Sequence, residues 1–307
     1  MKARYLSLAP FLSWHKTPRP VQWVDVFGRC APVEVEIGFG NGEFLVRLAQ
    51  DHPERDFVGI ELEWASVQRG LRRIAQVQAT NVRLLQADAR VVLERLFAPQ
   101  SVQRVYALFP CPWPKERHTK HRLFSHTFLS LVNSRLLPAA EVQMVTDSAS
   151  YVAWVQAQIP GTGFAVRSEP IPPIFRTKYE RKWQAQGQEM FYDLRLTKTH
   201  HIPVSLREDV PVQTHRIAHF DPERFCPQNV RGPVTVEFKE FVYDPLRQRG
   251  MLWVFVVEEG LTQDFWIQII RRHDSWHIRP APGCDVVPTV SVQQALDLVR
   301  NAAQRPT

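Results

Sequence analysis

Apolar and polar positions change period several times along the chain, and each change marks an element. Val33-Glu34-Val35-Glu36-Ile37 alternates β-branched residues with carboxylates, which predicts a strand. A glycine-rich turn, Gly38-Phe39-Gly40-Asn41-Gly42, follows it. After Glu43 the apolar residues Phe44, Leu45, Leu48 and Ala49 fall at helical spacing. The pattern then predicts a strand at 57–61, a helix at 64–78 and a strand at 82–86 that ends in Ala87-Asp88. The outer face of that helix carries Arg69, Arg72 and Arg73. Next come a helix at 89–97, a strand at 102–109 stopped by Pro110, Pro112 and Pro114, and a helix at 124–136. A strand at 142–146, a helix at 148–158 and an antiparallel pair at 164–167 and 190–196 complete the series. Such alternation predicts an α/β fold with a doubly wound, mostly parallel, Rossmann-like sheet. Ligands bind such sheets at the carboxyl ends of the strands.

The texture changes after Lys198. His200-His201-Ile202-Pro203 reads as a linker, and strands at 234–238, 251–258 and 265–271 precede a helix at 290–303. The chain therefore divides into domains at 1–199 and 200–307, the second a small α+β unit. Its aromatic residues Phe238, Phe241, Trp253, Phe255, Phe265, Trp266 and Trp276 are expected to build a core rather than a stacking platform.

Composition narrows the class. With 44% hydrophobic and 22% charged residues in 307, the chain can bury two ordinary cores. No run of about 18 apolar residues predicts a membrane span. The basic start at Met1–Arg4 and a short apolar stretch broken by Pro10, Trp14, His15 and Lys16 argue against a signal peptide, so the expected location is the cytoplasm. Cys30, Cys111, Cys226 and Cys284 form no CxxC or Cys/His pair at zinc spacing, and no metal is expected. The net charge of +7 is uneven, because residues 201–307 hold 12 Lys/Arg against 13 Asp/Glu. The excess lies in the first 200 residues, which suggests a polyanionic partner for that part.

Three acids stand at successive strand ends: Glu36, Glu61 and Asp88. Gly38 and Gly40 let a ligand approach the backbone before a helix N-terminus. Glu61, about 20 residues beyond them, suits the two hydroxyls of a ribose. The glycine spacing is not GxGxxG, and Glu36 would repel a pyrophosphate, which counts against a nicotinamide-dependent oxidoreductase. S-adenosyl-L-methionine has no phosphate and carries a cationic sulfonium and amine, so Glu36 favours it. Asp88 is placed to meet its adenine.

The stretch from Phe109 to Leu123 carries the substrate reading. Prolines stiffen it, Trp113 offers a stacking surface, and Lys115, Arg117, Lys120 and Arg122 supply contacts to a nucleic-acid backbone. This stretch resembles the Phe-Pro-Asp-Pro-Trp-Pro-Lys signature of the tRNA (guanine-N7-)-methyltransferase family, the TrmB-like enzymes. The resemblance covers about residues 30–198 and includes 36–42, Gly59-Ile60-Glu61, Ala87-Asp88-Ala89, Thr146-Asp147, and Thr177-Lys178-Tyr179-Glu180 followed by Gly187. It implies a class I methyltransferase sheet, cofactor contacts from Glu36, Glu61 and Asp88, and substrate contacts from Lys115, Asp147, Thr177, Lys178, Tyr179 and Glu180. It also implies methyl transfer to N7 of guanosine at tRNA position 46, in the variable loop. It fixes no oligomeric state and assigns no role to residues 200–307.

One departure matters. The family pattern has Asp where this chain has Cys111, and that Asp is the favoured catalytic and cofactor-side residue. A thiol accepts a hydrogen bond poorly unless ionised, and Lys115 and Arg117 nearby in sequence favour ionisation. The expectation is an enzyme with reduced turnover. The alternative is a protein that binds tRNA and cofactor with weakened or lost catalysis. Glu116 and His121 also lower the loop's positive charge relative to the family, which affects affinity more than chemistry.

Overall fold

The computed structural model describes residues 5–258 and 260–304, so the basic start at 1–4 lies outside the described residues. The chain divides into two compact units, Met1–Arg207 and Glu208–Thr307.

In the first unit a short helix, α1 (Trp23–Phe27), precedes strand β1 (Val33–Ile37). Then come α2 (Glu43–Asp51), β2 (Asp56–Glu61), α3 (Trp64–Val77), β3 (Val82–Gln86), α4 (Ala89–Arg95) and β4 (Val102–Leu108). The series continues with α5 (His126–Arg135), β5 (Leu136–Thr146), α6 (Ala149–Gln158), β6 (Phe164–Ile171), α7 (Lys178–Gln184) and β7 (Phe191–Lys198). The seven strands form one sheet in the order β3-β2-β1-β4-β5-β7-β6. Strands β1 to β5 pair in parallel, and β7 runs antiparallel between β5 and β6. This is the doubly wound sheet that the hydrophobic pattern predicts, with the reversal near β1 that opens a crevice at the strand ends.

Burial explains the central strand. All five residues of β1 are buried, Glu34 and Glu36 included. Helix α3 buries Val67, Gly70, Leu71 and Ile74, the spacing of one helical face. Gly59 sits on β2 because a Cβ there would lie 2.5 Å from Leu45 Cδ2 and 2.7 Å from Phe39 Cδ1. Strand β5 begins six residues earlier than the pattern 142–146 predicts, with a break in its pairing to β4 around Arg104.

The boundary between units falls after Arg207, beyond the change of texture near Lys198. Backbone hydrogen bonding is the reason. Asn133 holds His200 O and Ile202 N, and Arg207 N donates to Glu94 O. Arg135, 1% exposed, donates to the carbonyls of Leu93, Glu94, Val204 and Ser205. The linker is therefore part of the first unit.

The second unit contains β8 (His215–Ile217), β9 (Val234–Asp244), β10 (Arg249–Glu258), β11 (Leu261–Arg272), β12 (Ser275–Pro280) and α8 (Val290–Ala303). The sheet is antiparallel in the order β8-β12-β11-β10-β9. One face packs on α8 through Val236, Leu252, Val254, Phe265, Ile267, Trp276 and Ile278 against Val292, Leu296 and Val299. Phe238 and Phe241 join this core. Trp253, Phe255 and Trp266 do not; their strand positions point to the other face, which corrects the expectation that all the aromatics are core. Period two decides this, since odd and even positions of β10 face opposite ways.

Among the described residues no helix is long and apolar enough to cross a membrane. No three His, Cys, Asp or Glu side chains gather there as a metal site requires.

Arg135 gives a test of the first unit. Arg135→Met keeps much of the volume and strands several buried carbonyls, so stability should fall by about 3 kcal/mol or more. Scanning calorimetry should show a drop of several degrees in Tm, with new protease cleavage at 200–207. A Tm within a degree of the parent would show that these bonds contribute little.

Candidate active site

Two glutamates on β1 have opposite fates. Glu34 is 0% exposed, and its carboxylate accepts from Arg55 Nη1 at 2.7 Å and from the Tyr106 hydroxyl at 2.8 Å. Glu36 is 3% exposed, and its Oε2 is buried without a hydrogen-bond partner. Burial pushes the Glu36 carboxyl up to about 8, and the Glu61 charge adds to it. Arg47 and the backbone N–H of Leu45 pull the other way. A buried acceptor left open is costly, so it points to a missing donor or cation.

Glu36, with its open oxygen, lines a cleft at the carboxyl end of β1. Glu36, Gly38, Gly40, Asn41, Ser66, Arg69, Phe109, Thr177, Lys178 and Tyr179 line it, with Phe39, Phe44 and Leu108. Gly38, Gly40 and Gly42 all take positive φ (72°, 58° and 74°), which a side chain would strain. Glu61 shapes this turn: its Oε2 accepts from Gly40 N at 3.0 Å and its Oε1 from Leu62 N at 2.8 Å.

The segment before α7 closes the other side. Thr177 caps α7 by accepting from Glu180 N, and Glu180 Oε1 accepts from Ile174 N at 2.7 Å and Phe175 N at 3.0 Å. This is the reciprocal exchange of a capping box, reaching further back along the chain than usual. Arg47 Nη2 binds Phe175 O at 2.6 Å, and Glu43 joins Arg73 of α3 to Arg181 of α7. Phe109, which lines the cleft, and Arg176, next to the lining Thr177, hold positive φ without being glycine (56° and 52°). Such strain is typical of functional sites.

The predicted residues thus separate. Glu36, Gly38, Gly40, Thr177, Lys178 and Tyr179 meet at the cleft. Glu61 stands behind the turn and organises it. Glu180 is 1% exposed and its Oε1 is committed to the backbone, so the expectation of a guanine contact there gives way to a structural task. Asp88 caps α4 through Arg90 N at 2.7 Å and pairs with the Arg90 guanidinium at 3.1 Å. It does not line the cleft.

Cys111 and Asp147 follow the neighbouring strands β4 and β5, whose register pairs Leu108 with Val145. Cys111 is exposed. Asp147 is half-buried and its carboxylate makes no hydrogen bond or ion pair among the described residues; Ser148, not Asp147, caps α6. Lys115, Arg117 and Lys120 are exposed on a 3-10 segment (Glu116–His121) and its preceding residue, without ion pairs among the described residues. Trp113 packs against His121 and His118 at 5.2 and 5.7 Å between ring centroids. Arg122 faces inward instead: it donates to Pro112 O and Trp113 O and lies 5.0 Å over the Trp154 ring. Its guanidinium clamps the loop, where the sequence reading expects a phosphate contact.

Sequence reasoning passes over Asn41 and Ser66, and it takes Arg69 only as part of a basic face. The recurrence of Ser66 and Arg69 one turn apart at the start of α3 is the available signal.

Comparison with known proteins fits this geometry. Residues 30–192, more than half of the chain, match the family model described as "Putative methyltransferase". A tRNA (guanine-N(7)-)-methyltransferase of Thermotoga maritima is 32% identical over 284 residues, 90% of this chain and 91% of that protein. This chain belongs to the tRNA (guanine-N(7)-)-methyltransferase family. A family member from Chlorobium phaeobacteroides is 45% identical over 170 residues, 55% of this chain and 83% of that protein. One from Aquifex aeolicus is 28% identical over 94% of this chain and 97% of its own length. The methyltransferase family thus includes members as long as this chain and a far shorter one.

Glu36 sets a pH signature. A cation binds the carboxylate form, and that form prevails only above about pH 8 in the free protein. Affinity for S-adenosyl-L-methionine should therefore rise with pH and level off above about 8, while Glu36→Gln should bind weakly at every pH. The raised folded-state value also means that ligand-free stability falls from about pH 4.5 to 8. At pH above 8 the Gln variant should be more stable than the parent by roughly 1–3 kcal/mol. Calorimetric titrations and melts across this range check both; pH-independent cofactor binding by the parent would refute the assignment.

Proposed function

We propose that this chain transfers the methyl group of S-adenosyl-L-methionine to N7 of a guanine in tRNA, the guanosine at position 46. The unpartnered Oε2 of Glu36 at the glycine turn carries the reading, because a carboxylate there suits a cationic cofactor and would repel a phosphate. Arg69 and Lys178 line the same cleft and offer cations for the cofactor's carboxylate end. Family membership and the exposed basic loop support tRNA as the substrate.

Bound at the cleft, the cofactor supplies an electrophilic methyl group; N7 gives its lone pair to the methyl carbon as the carbon–sulfur pair returns to sulfur. Guanine N7 needs no base to deprotonate it, so the protein's task is alignment and charge. Asp147, open at the end of β5, stabilises the positive charge that arrives on the purine and can accept from its N1–H and N2–H edge. Tyr179 closes over the glycine turn, with its ring 3.8 Å from the position a Gly40 Cβ would take. Trp113, held by the clamped loop, replaces stacking lost by the unpaired guanine. Lys115, Arg117 and Lys120 hold the phosphate backbone. Cys111 occupies the place of the family's Asp, and a thiol in place of a carboxylate lowers turnover without removing the nucleophile.

Unmodified tRNA transcript incubated with methyl-labelled cofactor should yield 7-methylguanosine at position 46, mapped by nucleoside mass spectrometry and chemical cleavage. Bound tRNA and cofactor without label would overturn the reading. Asp147→Asn should lower kcat by about a hundredfold, an effect of the size seen for groups that stabilise developing charge. Cys111→Asp should raise kcat by up to about tenfold, or about 1.4 kcal/mol. Unchanged turnover in Cys111→Asp would show that the position carries no catalytic weight.

A further inference from the structure

The second unit is near neutral in sum, but its charges are sorted. On the sheet face opposite α8, cross-strand pairing sets Arg216 beside His277, His277 beside Ile270, and Ile270 beside Arg249. The next row pairs Arg279 with Gln268 and Gln268 with Met251. Beyond it Trp266 faces Trp253, with ring centroids 6.4 Å apart and planes 26° from parallel. The acids Asp264 and Glu237 come last, both opposite Phe255. Strand β9 adds two more acids to this face, Glu240 opposite Trp253 and Asp244 opposite Arg249. The side formed by β8 and β12 is thus basic, and the acids lie toward β9.

The basic side is not neutralised. Arg216 and Arg272 are exposed and make no ion pair among the described residues. Arg279 reaches only the neutral Gln268 Oε1, at 3.1 Å, and Arg249 Nε is buried without a partner. After burial, the charges that hold the His277 imidazole below its ordinary range are Arg216, Arg272, Arg279 and His273. Cations that gather and repel one another in this way are unfavourable unless an anion covers them. Trp253, 37% exposed, stands next to them with a ring available for stacking.

We infer that the open face of the second unit's sheet is a docking surface for the phosphate backbone of the tRNA substrate, with Arg216, Arg272 and Arg279 as phosphate contacts and the Trp253–Trp266 pair as a stacking surface beside them. The inference rests on the tRNA reading above and extends it to a unit that carries none of the cleft residues. A protein partner fits less well, because the apolar middle is narrow and charged residues surround it, whereas the core of a protein interface is depleted in charge. Backbone contacts of this kind position a substrate without reading its sequence.

The test uses the full chain and tRNA transcript, with binding followed by fluorescence anisotropy from low to moderate salt. Arg216→Gln/Arg272→Gln/Arg279→Gln should weaken tRNA binding about tenfold or more. It should also reduce the slope of log K against log salt by up to about 0.9 per arginine removed. The double variant Arg216→Gln/Arg272→Gln, which changes only exposed side chains, should show an intermediate loss and guards against misfolding at Arg279. Cofactor affinity and kcat at saturating tRNA should stay at parental values while KM for tRNA rises. A control, Arg224→Gln/Arg231→Gln/Arg247→Gln, removes the same charge elsewhere on the unit and should change the slope much less. Parental affinity and slope in the triple variant would overturn the inference, as would an equal loss in the control. Failure of methyl transfer in the parent, with these binding differences intact, would count against the catalytic reading alone.

Discussion

A carboxyl group buried at a central strand end with one oxygen unpartnered is the constraint that organises the first unit. Glu36 is placed there by β1, whose five residues are all covered by neighbouring strands and helices. Two residues earlier the same burial is offset by Arg55 and Tyr106. At Glu36 it is offset only in part, and the remaining oxygen opens into the cleft. The surroundings keep that opening in shape. Glu61 ties the glycine turn, Arg47 ties Phe175, and Glu43 ties α3 to α7. Each of these interactions lies beside the cleft, and together they hold in a fixed place a group that is costly to ionise. A cationic ligand then recovers what folding gave up, and this is how affinity and instability come to share one residue.

The walls of the cleft use the same residues for architecture and for chemistry. Thr177 caps a helix with its hydroxyl and lines the cleft as well. Glu180, three residues on, is wholly given to the backbone of 174 and 175, and so fixes where Lys178 and Tyr179 stand. A positioning carboxylate of this kind acts on the ligand only through the residues between. Arg122 does the corresponding work for the proline loop, since its guanidinium holds two loop carbonyls and lies over an α6 tryptophan. Rigidity here serves alignment, which is most of what a reaction at an already nucleophilic nitrogen requires.

Strand ends were the legible part of the site, because a parallel sheet puts every carboxyl end on one edge whatever the details of its loops. Glu36, Gly38 and Gly40 are found at the cleft for that reason. Glu180, Asp88 and Arg122 hold backbone or helix ends in the structure, a task the sequence did not reveal, because an acid or arginine near a site looks the same whether it faces a ligand, a helix terminus or both. The T-x-x-E spacing at 177–180 carried the capping signal, but the resemblance to a substrate motif overshadowed it. The first unit's strands followed from hydrophobic periodicity, while β8 and β12 are too short or too mixed in composition to register. Charge was the least legible quantity. A count near zero for residues 201–307 hides the cluster of Arg216, Arg272 and Arg279 on one sheet face, because counting discards the cross-strand register that gathers them.

Cys111 can now be weighed by where it stands. An acid at this exposed place would add negative charge near the end of β4, beside the open Asp147 at the end of β5. Two carboxylates on adjacent strand ends would share the stabilisation of a purine gaining positive charge. A thiol leaves that work to Asp147 alone. The reaction tolerates this better than most would, since no proton has to leave N7 before the methyl group arrives. On the proposed reading, the thiol forfeits electrostatic stabilisation of the transition state, which lowers a rate, while the buried Glu36 and its cleft are retained for the cofactor. Substitution at the loop therefore separates catalysis from binding, and the cofactor site remains the more fundamental of the two.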